Sequence, residues 1–474
     1  MRGPAERGAR VVAARLIFRG ALVAACLLAG GGCALAPASR FARPEFAAGT
    51  VSPRAARNAE IFDRVWRLVA ERHHDPSLGG LDWTSAGRRH GPAAVTASDD
   101  EALYRELNGM LEPLKDSHTR AVSPVRAAER RASTRARTGF AMERLEGRWV
   151  VNEVLPGSPA EVAGIRPGWI VVAREGKPLG EEIDFRPTAG EAAAWEFLDE
   201  QDRPVRVAPV ARELATAPRR EERMLAGGIP LLRFDEFNGP ARRWLSERLK
   251  ARADAPAVVI DLRWNSGGET FSLGIIIGEF FRQAVDCGVF VTRAGTSAVK
   301  SSWQWGSARY AGRVVVLIDR GTASAAEIFA AVLQDHGRAT VLGRPTAGAV
   351  LASWFYELPD GGQLQLSRED YLAPKGRRLE GMGVGPDLAV PRTLADLRAG
   401  KVKDLELSLR QREVRVQFDD GRQATVPVFS NDQLLLRTAE QAKVPLTVRD
   451  DRADGATAGL VANGLLVLLL VGGL

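Results

Sequence analysis

A chain of 474 residues has room for two to four domains, each burying its own core. Its 65 basic and 58 acidic residues leave a net charge of +7, and five arginines against one glutamate in residues 1–20 supply +4 of it. No dense Lys/Arg block with interleaved aromatics occurs elsewhere, so nucleic acid is excluded as a partner, and three cysteines, two of them before residue 34, exclude a disulfide framework and a cysteine metal site.

The leading arginines run into the apolar stretch Ala21–Ala29 and then Gly30-Gly-Gly-Cys-Ala34. That is the layout of a bacterial export signal over residues 1–33. Cys33 after small residues fits a lipoprotein cleavage site, with cutting at a nearby alanine-rich site as the alternative. Residues 41–125 are predicted as a helical region. Ile61, Phe62, Val65, Leu68 and Val69 form one apolar stripe, and Leu103, Leu107, Met110 and Leu111 form a second. The second helix runs into Leu114-Lys-Asp-Ser-His-Thr119, while His73, His74 and His90 read as turn or surface residues. An Arg/Ala-rich stretch from Arg126 to Arg137 reads as a linker.

Residues 137–215 form the next module, centred on Val154-Leu-Pro-Gly-Ser-Pro-Ala-Glu-Val-Ala-Gly-Ile-Arg-Pro-Gly-Trp169. This segment resembles a PDZ domain. The resemblance implies a groove between a strand and a helix, where an extended or C-terminal peptide adds as a further strand. The glycine-containing loop Thr138, Gly139, Phe140 and Ala141 would hold its carboxylate.

From residue 224 to 398 strands and helices alternate. Ile229–Phe234 and Ala257–Leu262 read as strands around a helix, and the second ends in Asp261-Leu-Arg-Trp-Asn-Ser-Gly-Gly268. Two glycines there free the backbone to point N–H groups at an oxygen. The unbroken apolar run Val314–Ile318 suits a strand covered on both faces, and Ile328, Phe329, Val332 and Leu333 recur at helical spacing. Ser324 therefore opens a helix, where free N–H groups and the positive helix end favour a developing negative charge. A plain helix cap is the other use of serine at this place. Ala339–Leu342 reads as a strand, and Trp354–Leu358 with Gln363–Leu366 as a hairpin. Cys287 reads as a packing residue and His336 as structural. A hairpin, Val414–Phe418 with Ala424–Phe429, and a helix near Leu434–Ala442 make a small accessory domain over 405–455. The apolar segment 456–474 reads either as a membrane tail or as a buried terminal element.

Four stretches in order, Asp261-Leu-Arg-x-Asn-x-Gly-Gly, Thr322-Ala-Ser-Ala-Ala-Glu327, Gly343-x-Pro-Thr-x-Gly348 and Glu380-Gly-x-Gly-Val-x-Pro-Asp387, resemble the tail-specific (C-terminal processing) serine peptidases. The resemblance implies a multidomain α/β protein: a helical N-terminal region, a PDZ-like β-rich module, a crotonase-like or ClpP-like α/β peptidase core and a small C-terminal α+β appendage. It also implies Ser324 as nucleophile. One branch of the family takes its base from a lysine just past Thr-x-Gly, a position held here by Ala349; Lys375 lies outside the motif. The branch resembling the tricorn core uses Ser-His and a glutamate, matched here by Ser117, His118 and Glu380. His118 would take the serine proton while Glu380, directly or through Ser117, fixes its tautomer. The oxyanion would be held by the N–H of Ala325 with that of Gly267 or Gly268. Glu327 falls in the second motif and reads as a packing or hydrogen-bonding residue. The implied partners are protein or peptide substrates, at the periplasmic side, with membrane association through Cys33 or the apolar end. No metal or organic cofactor is called for. A catalytically inactive binding scaffold of the same fold is the alternative; oligomeric state is left open.

Overall fold

The computed structural model describes residues 52–389 apart from 146–147, 181–184, 200–202 and 302–309, together with 41–42, 400, 402–408, 413–419, 421, 423–427 and 439–449. The leader with Cys33, the apolar segment 456–474 and most of the helix expected near Leu434–Ala442 lie outside these residues. Among the described residues, no helix is long and apolar enough to cross a membrane. The chain divides into two compact units, residues 1–110 and 111–474.

The first unit is helical. Helix α1 (Pro53–Arg72) begins where the Ser52 side chain accepts from the Ala55 N–H and proline takes the first turn, and it buries Ile61, Phe62, Val65, Trp66 and Val69. Asp82 caps α2 (Trp83–Thr96) in the same way. Helix α3 (Asp100–Leu111) carries Asp100 and Glu101 in its first turn, where the helix dipole favours acids. Trp66 and Trp83 stack at 6.4 Å, and each indole N–H donates to the other's carbonyl, at 3.0 and 3.1 Å. His73 is buried at the end of α1 rather than at the surface, its ring nitrogen receiving the Asp75 N–H. His90 pairs with Glu106 at 2.9 Å.

In the second unit the helical pattern stops at Leu114. Ser117 and His118 lie in a loop that leads into strand β1 (Arg120–Val122), so the expected helical region ends before them. The stretch expected as a linker is ordered instead: Pro124 at the first turn starts α4 (Pro124–Arg131), and β2 (Thr134–Arg137) pairs antiparallel with a later strand, which rescues its polar sequence from being a loop. A small sheet follows, built from β3 (Phe140–Leu145), β4 (Arg148–Val154), β5 (Ile170–Arg174), β6 (Lys177–Pro178), β7 (Trp195–Leu198) and β8 (Pro204–Val207), with the four-residue helix α5 (Pro159–Val162). Its order is β3-β4-β5-β7-β8 with β6 beside β5, over a core of Val151, Ile165, Trp169, Trp195 and Phe197. Strand β9 (Arg212–Ala215) returns to pair with β2 and closes the module.

The largest core follows. Strands β10 (Arg220–Leu225), β11 (Ile229–Phe234), β12 (Ala257–Asp261), β15 (Arg313–Ile318), β16 (Thr340–Gly343) and β19 (Leu388–Ala389) form one sheet in the order β10-β11-β12-β15-β16-β19. Only β10 is antiparallel to its neighbour. Helices α6 (Gly239–Ala251), α7 (Thr270–Gly278) and α8 (Ala325–Asp335) pack with Val258, Ile260, Val314, Val316 and Ile318 in one cluster. Val259, Val315, Leu317 and Leu342 belong to another. Successive residues thus face opposite sides, which is why the apolar run in β15 is unbroken. Cys287 is fully buried, and burial pushes its thiol up to about 12.

A second sheet holds β1, β13 (Asp286–Thr292), β14 (Gly295–Lys300), β17 (Ala352–Glu357) and β18 (Gln363–Leu372). The expected hairpin is β17–β18, and β18 also pairs with β1, Arg120 opposite Gln365. That pairing carries the Ser117–His118 loop onto the large core. At the C-terminal end, β20 (Val402–Ser408), β21 (Glu413–Phe418), β22 (Gln423–Pro427) and β23 (Leu446–Arg449) form a four-stranded sheet with the expected β21–β22 hairpin.

Candidate active site

Ser324 stands between the buried strand β15 and helix α8. Its backbone is left-handed, φ +55° and ψ −123°, a conformation that a serine holds only when its surroundings impose it. The turn before it is shaped by Asp319, whose carboxylate accepts from the N–H groups of Gly321 and Thr322 and from that of Trp264. Thr322 donates its hydroxyl to the Leu262 carbonyl at 2.9 Å, tying this turn to the end of β12. On the downstream side the Ser324 N–H donates to the Ala349 carbonyl at 2.8 Å.

Gly267 packs directly on the serine. A Cβ there would sit 2.6 Å from the Ser324 Cβ and 2.8 Å from the Ala325 nitrogen, so only glycine admits the approach. Asn265, completely buried, sets this loop: its amide donates to the Phe234 carbonyl at 2.7 Å, and its side-chain oxygen accepts the Gly267 N–H at 2.9 Å. The Gly267 N–H is therefore engaged, which removes it from the expected oxyanion pair. The N–H groups of Gly268 and of Ala325, the latter in the first turn of α8, have no partner among the described residues. Asn265 was in the motif read from sequence but was not singled out there. Its signal was an asparagine two residues before a Gly-Gly after a buried strand.

His118 reaches the same region from the other end of the chain. Asp116 accepts from the N–H groups of His118 and Thr119, at 3.0 and 2.6 Å, and from the Thr119 hydroxyl, which bends the loop. Ser117 Oγ lies 2.6 Å from His118 Nδ1, and the Ser117 N–H donates to Glu380 Oε1 at 3.0 Å. The other oxygen of Glu380 accepts the Val350 N–H at 2.9 Å. Residues 349 and 350 thus touch Ser324 on one side and Glu380 on the other. Of the two expected ways for Glu380 to serve the histidine, the contact runs through Ser117. No hydrogen bond joins Ser324 to His118 among the described residues. Burial holds the His118 imidazole below its ordinary value of 6.5, assisted by the Arg120 charge and opposed by Asp116, so the ring is neutral near pH 7. A neutral imidazole, a hydroxyl on a strained turn and two free N–H groups are the parts that acyl transfer needs.

Of the expected loop, Thr138 and Gly139 form the turn into β3, while Phe140 and Ala141 are already the first two residues of that strand, paired with Val154 and Glu153. Gly139 has φ +95°, and a Cβ on it would strike Ser158 at 2.2 Å. Among the described residues β3 is an edge strand, paired with β4 alone. The helix implied as the other wall of a groove is not found among the described residues: the module's helix is the short α5, and Pro187 and the left-handed Gly190 interrupt the stretch before β7. Lys375 lies outside the site, its N–H near Asp335, and His336 caps the end of α8 with a ring contact to the Asp286 carbonyl.

Residues 228–390 match the model of peptidase family S41. Over 365 residues the chain is 28% identical to carboxyl-terminal-processing peptidase 2, chloroplastic, of Arabidopsis thaliana, covering 70% of this chain and 69% of that protein. Over 348 residues it is 28% identical to the carboxyl-terminal-processing protease of a Picosynechococcus strain, covering 70% and 83%. Among solved structures, the photosystem II D1 C-terminal processing protease superposes with a TM-score of 0.52 at 23% identity, over 71% of this chain and 94% of that one.

Proposed function

The chain is a serine peptidase carrying an S41 domain and homologous to the carboxyl-terminal-processing proteases, and from that premise we propose that it is an exported endopeptidase cutting through an acyl-enzyme on Ser324. His118 takes the Ser324 proton as the hydroxyl attacks the scissile carbonyl, and returns it to the leaving amine. Water then deacylates the enzyme by the same route in reverse. Nδ1–H of His118 donates to Ser117 Oγ, and Glu380 holds Ser117 in place through its N–H. The tetrahedral oxyanion is received by the N–H groups of Gly268 and Ala325. The observation that carries the reading is the Glu380–Ser117–His118 chain of contacts at 3.0 and 2.6 Å, anchored on the loop that also holds Ser324. The missing Ser324–His118 bond is in keeping with this, because such bonds often tighten only around substrate.

In the same reading, residues 137–215 are a PDZ-like module and 224–398 a crotonase-like or ClpP-like catalytic domain. The residues 405–455 are an accessory domain. The free edge of β3 adds an extended substrate segment as a further strand, with the Thr138–Ala141 stretch near its carboxylate. With no longer helix in this module among the described residues, main-chain pairing supplies more of the capture than side-chain pockets do. The arginine-led leader supports export to the periplasmic side, with a membrane tether through Cys33 or the apolar C-terminal segment.

The test is labelling of the intact protein with a serine-directed fluorophosphonate, followed by mapping of the adduct. Labelling at Ser324, abolished in Ser324→Ala and weakened in His118→Ala, is expected. A folded protein that stays unlabelled with substrate peptide present would overturn the reading.

A further inference from the structure

Glu327 is fully buried in the first turn of α8, three residues past Ser324. Its carboxylate accepts four hydrogen bonds. Oε1 receives the Thr346 hydroxyl at 2.5 Å and the Gly348 N–H at 2.8 Å; Oε2 receives the Ala349 N–H at 2.8 Å and the Ser324 N–H at 3.1 Å. Every donor belongs either to Ser324 or to the loop 346–349.

That loop is the hub between the two halves of the site. Ala349 gives its carbonyl to the Ser324 N–H at 2.8 Å, and the next N–H, that of Val350, goes to Glu380. Gly348 accepts the Gly381 N–H at 2.8 Å, and Thr346 Oγ1 accepts the Val384 N–H at 2.7 Å, so the loop also grips the turn just after Glu380. Gly348 and Gly383 both have positive φ, and a Cβ on either would come within 3.0 Å of the facing backbone. A helix cap alone requires none of this. Of the four contacts only the one from the Ser324 N–H belongs to a capping box at the head of α8; the three from 346–349 lie beyond what a cap uses, and a buried carboxylate is a costly choice for capping alone.

We propose that Glu327 is a positioning residue of the reaction, holding the left-handed Ser324 backbone and the 346–349 loop in one register. It thereby sets where the Ser324 hydroxyl points relative to His118 and where the Ala325 N–H points relative to the oxyanion. The inference rests on Ser324 being the nucleophile. Glu327 touches neither substrate nor reacting atoms in it. The four donors favour the ionised carboxylate, and burial pushes its pKa the other way. Burial is the larger influence and raises the carboxyl above its ordinary value, opposed by the four donors and by the positive end of α8.

The experiment uses the full chain with Glu327→Gln, Glu327→Asp and Thr346→Val. It measures kcat and KM on a peptide substrate, the rate of fluorophosphonate labelling at Ser324, and the thermal midpoint. In Glu327→Gln one oxygen is replaced by an NH2 that opposes two N–H donors, in nearly the same volume. A fall in kcat and in labelling rate of about 100-fold is expected, the scale of a misplacement of about 1 Å, with KM and the thermal midpoint close to wild type. Thr346→Val, which removes one donor of four, is expected to lose about tenfold on the same scale, and Glu327→Asp to recover part of the Gln loss. Wild-type kcat in Glu327→Gln overturns the proposal. So does a loss of kcat that merely follows a falling thermal midpoint. If Glu327→Gln does not fold, wild-type kcat in Thr346→Val overturns it. A wild-type enzyme unlabelled at Ser324 sinks the nucleophile assignment instead, and is distinguished by appearing before any variant is made.

Discussion

Removing one hydroxyl at Ser117 isolates the link between Glu380 and His118. In Ser117→Ala the backbone N–H still donates to Glu380, so the loop keeps that anchor, and Asp116 still holds the His118 and Thr119 N–H groups. Only the 2.6 Å contact of Oγ with Nδ1 disappears. In the ground state that contact joins neutral groups and contributes about 0.5–1.5 kcal/mol. When His118 takes the serine proton it becomes an imidazolium, and the same contact becomes charge-assisted, worth about 1.5–3 kcal/mol. The free enzyme loses the weaker bond as well, so the barrier rises by the difference, about 1–1.5 kcal/mol, and kcat/KM falls by about 5- to 13-fold, while the folded state loses only the ground-state bond. Steady-state hydrolysis of a fluorogenic peptide, beside the thermal midpoint of the same preparation, measures both. Wild-type kcat/KM in Ser117→Ala would refute the relay and leave Glu380 with a purely structural place in the loop.

Four other perturbations are informative. Because burial and Arg120 both depress the His118 pKa, kcat/KM is expected to rise through a single ionisation below 6.5 and to be flat at neutral pH; Arg120→Gln should move that ionisation upward in the pH profile. The same lowered pKa means that the unfolded chain protonates first on acidification, so His118 withdraws stability as pH falls below 6.5, a loss that chemical denaturation of His118→Gln should not show. Gly268→Ala places a Cβ 2.3 Å from the Phe237 carbonyl oxygen at φ +138°, which displaces the free N–H; a loss of about 100- to 1,000-fold in labelling rate is expected. In the helical unit, Trp83→Ala removes a fully buried ring and the bond its indole N–H gives the Trp66 carbonyl, while the residue 83 carbonyl that receives the Trp66 indole remains; denaturant titration should register about 3–5 kcal/mol.

Much of this architecture was legible in the chain because it follows from local rules. The apolar run Val314–Ile318 read as a two-faced buried strand, and Val314, Val316 and Ile318 do pack on one side while Val315 and Leu317 pack on the other. Ser324 at the head of a helix, and the hairpins β17–β18 and β21–β22, were equally readable from period and turn residues. What escaped was settled by distant partners. Thr134–Arg137 looks like a polar linker until Arg212–Ala215 supplies a strand for it to pair with. The Gly267 N–H looked free until Asn265 turned its oxygen back onto it. Glu327 reads from the sequence as a packing or hydrogen-bonding residue, but its partners do not, since its four donors come from Ser324 and from a loop some twenty residues further on. The groove wall beside β3 was expected from resemblance, and Pro187 and Gly190 are the local residues that argue against a helix there.

The most direct measurement is a crystal structure of the phosphonylated enzyme. His118 Nε2 should lie within about 3 Å of the oxygen attached to Ser324, with the phosphonyl oxygen facing the N–H groups of Gly268 and Ala325. An adduct on Ser324 with the His118 ring turned away, and another side chain in hydrogen-bond reach of that oxygen, would contradict the account.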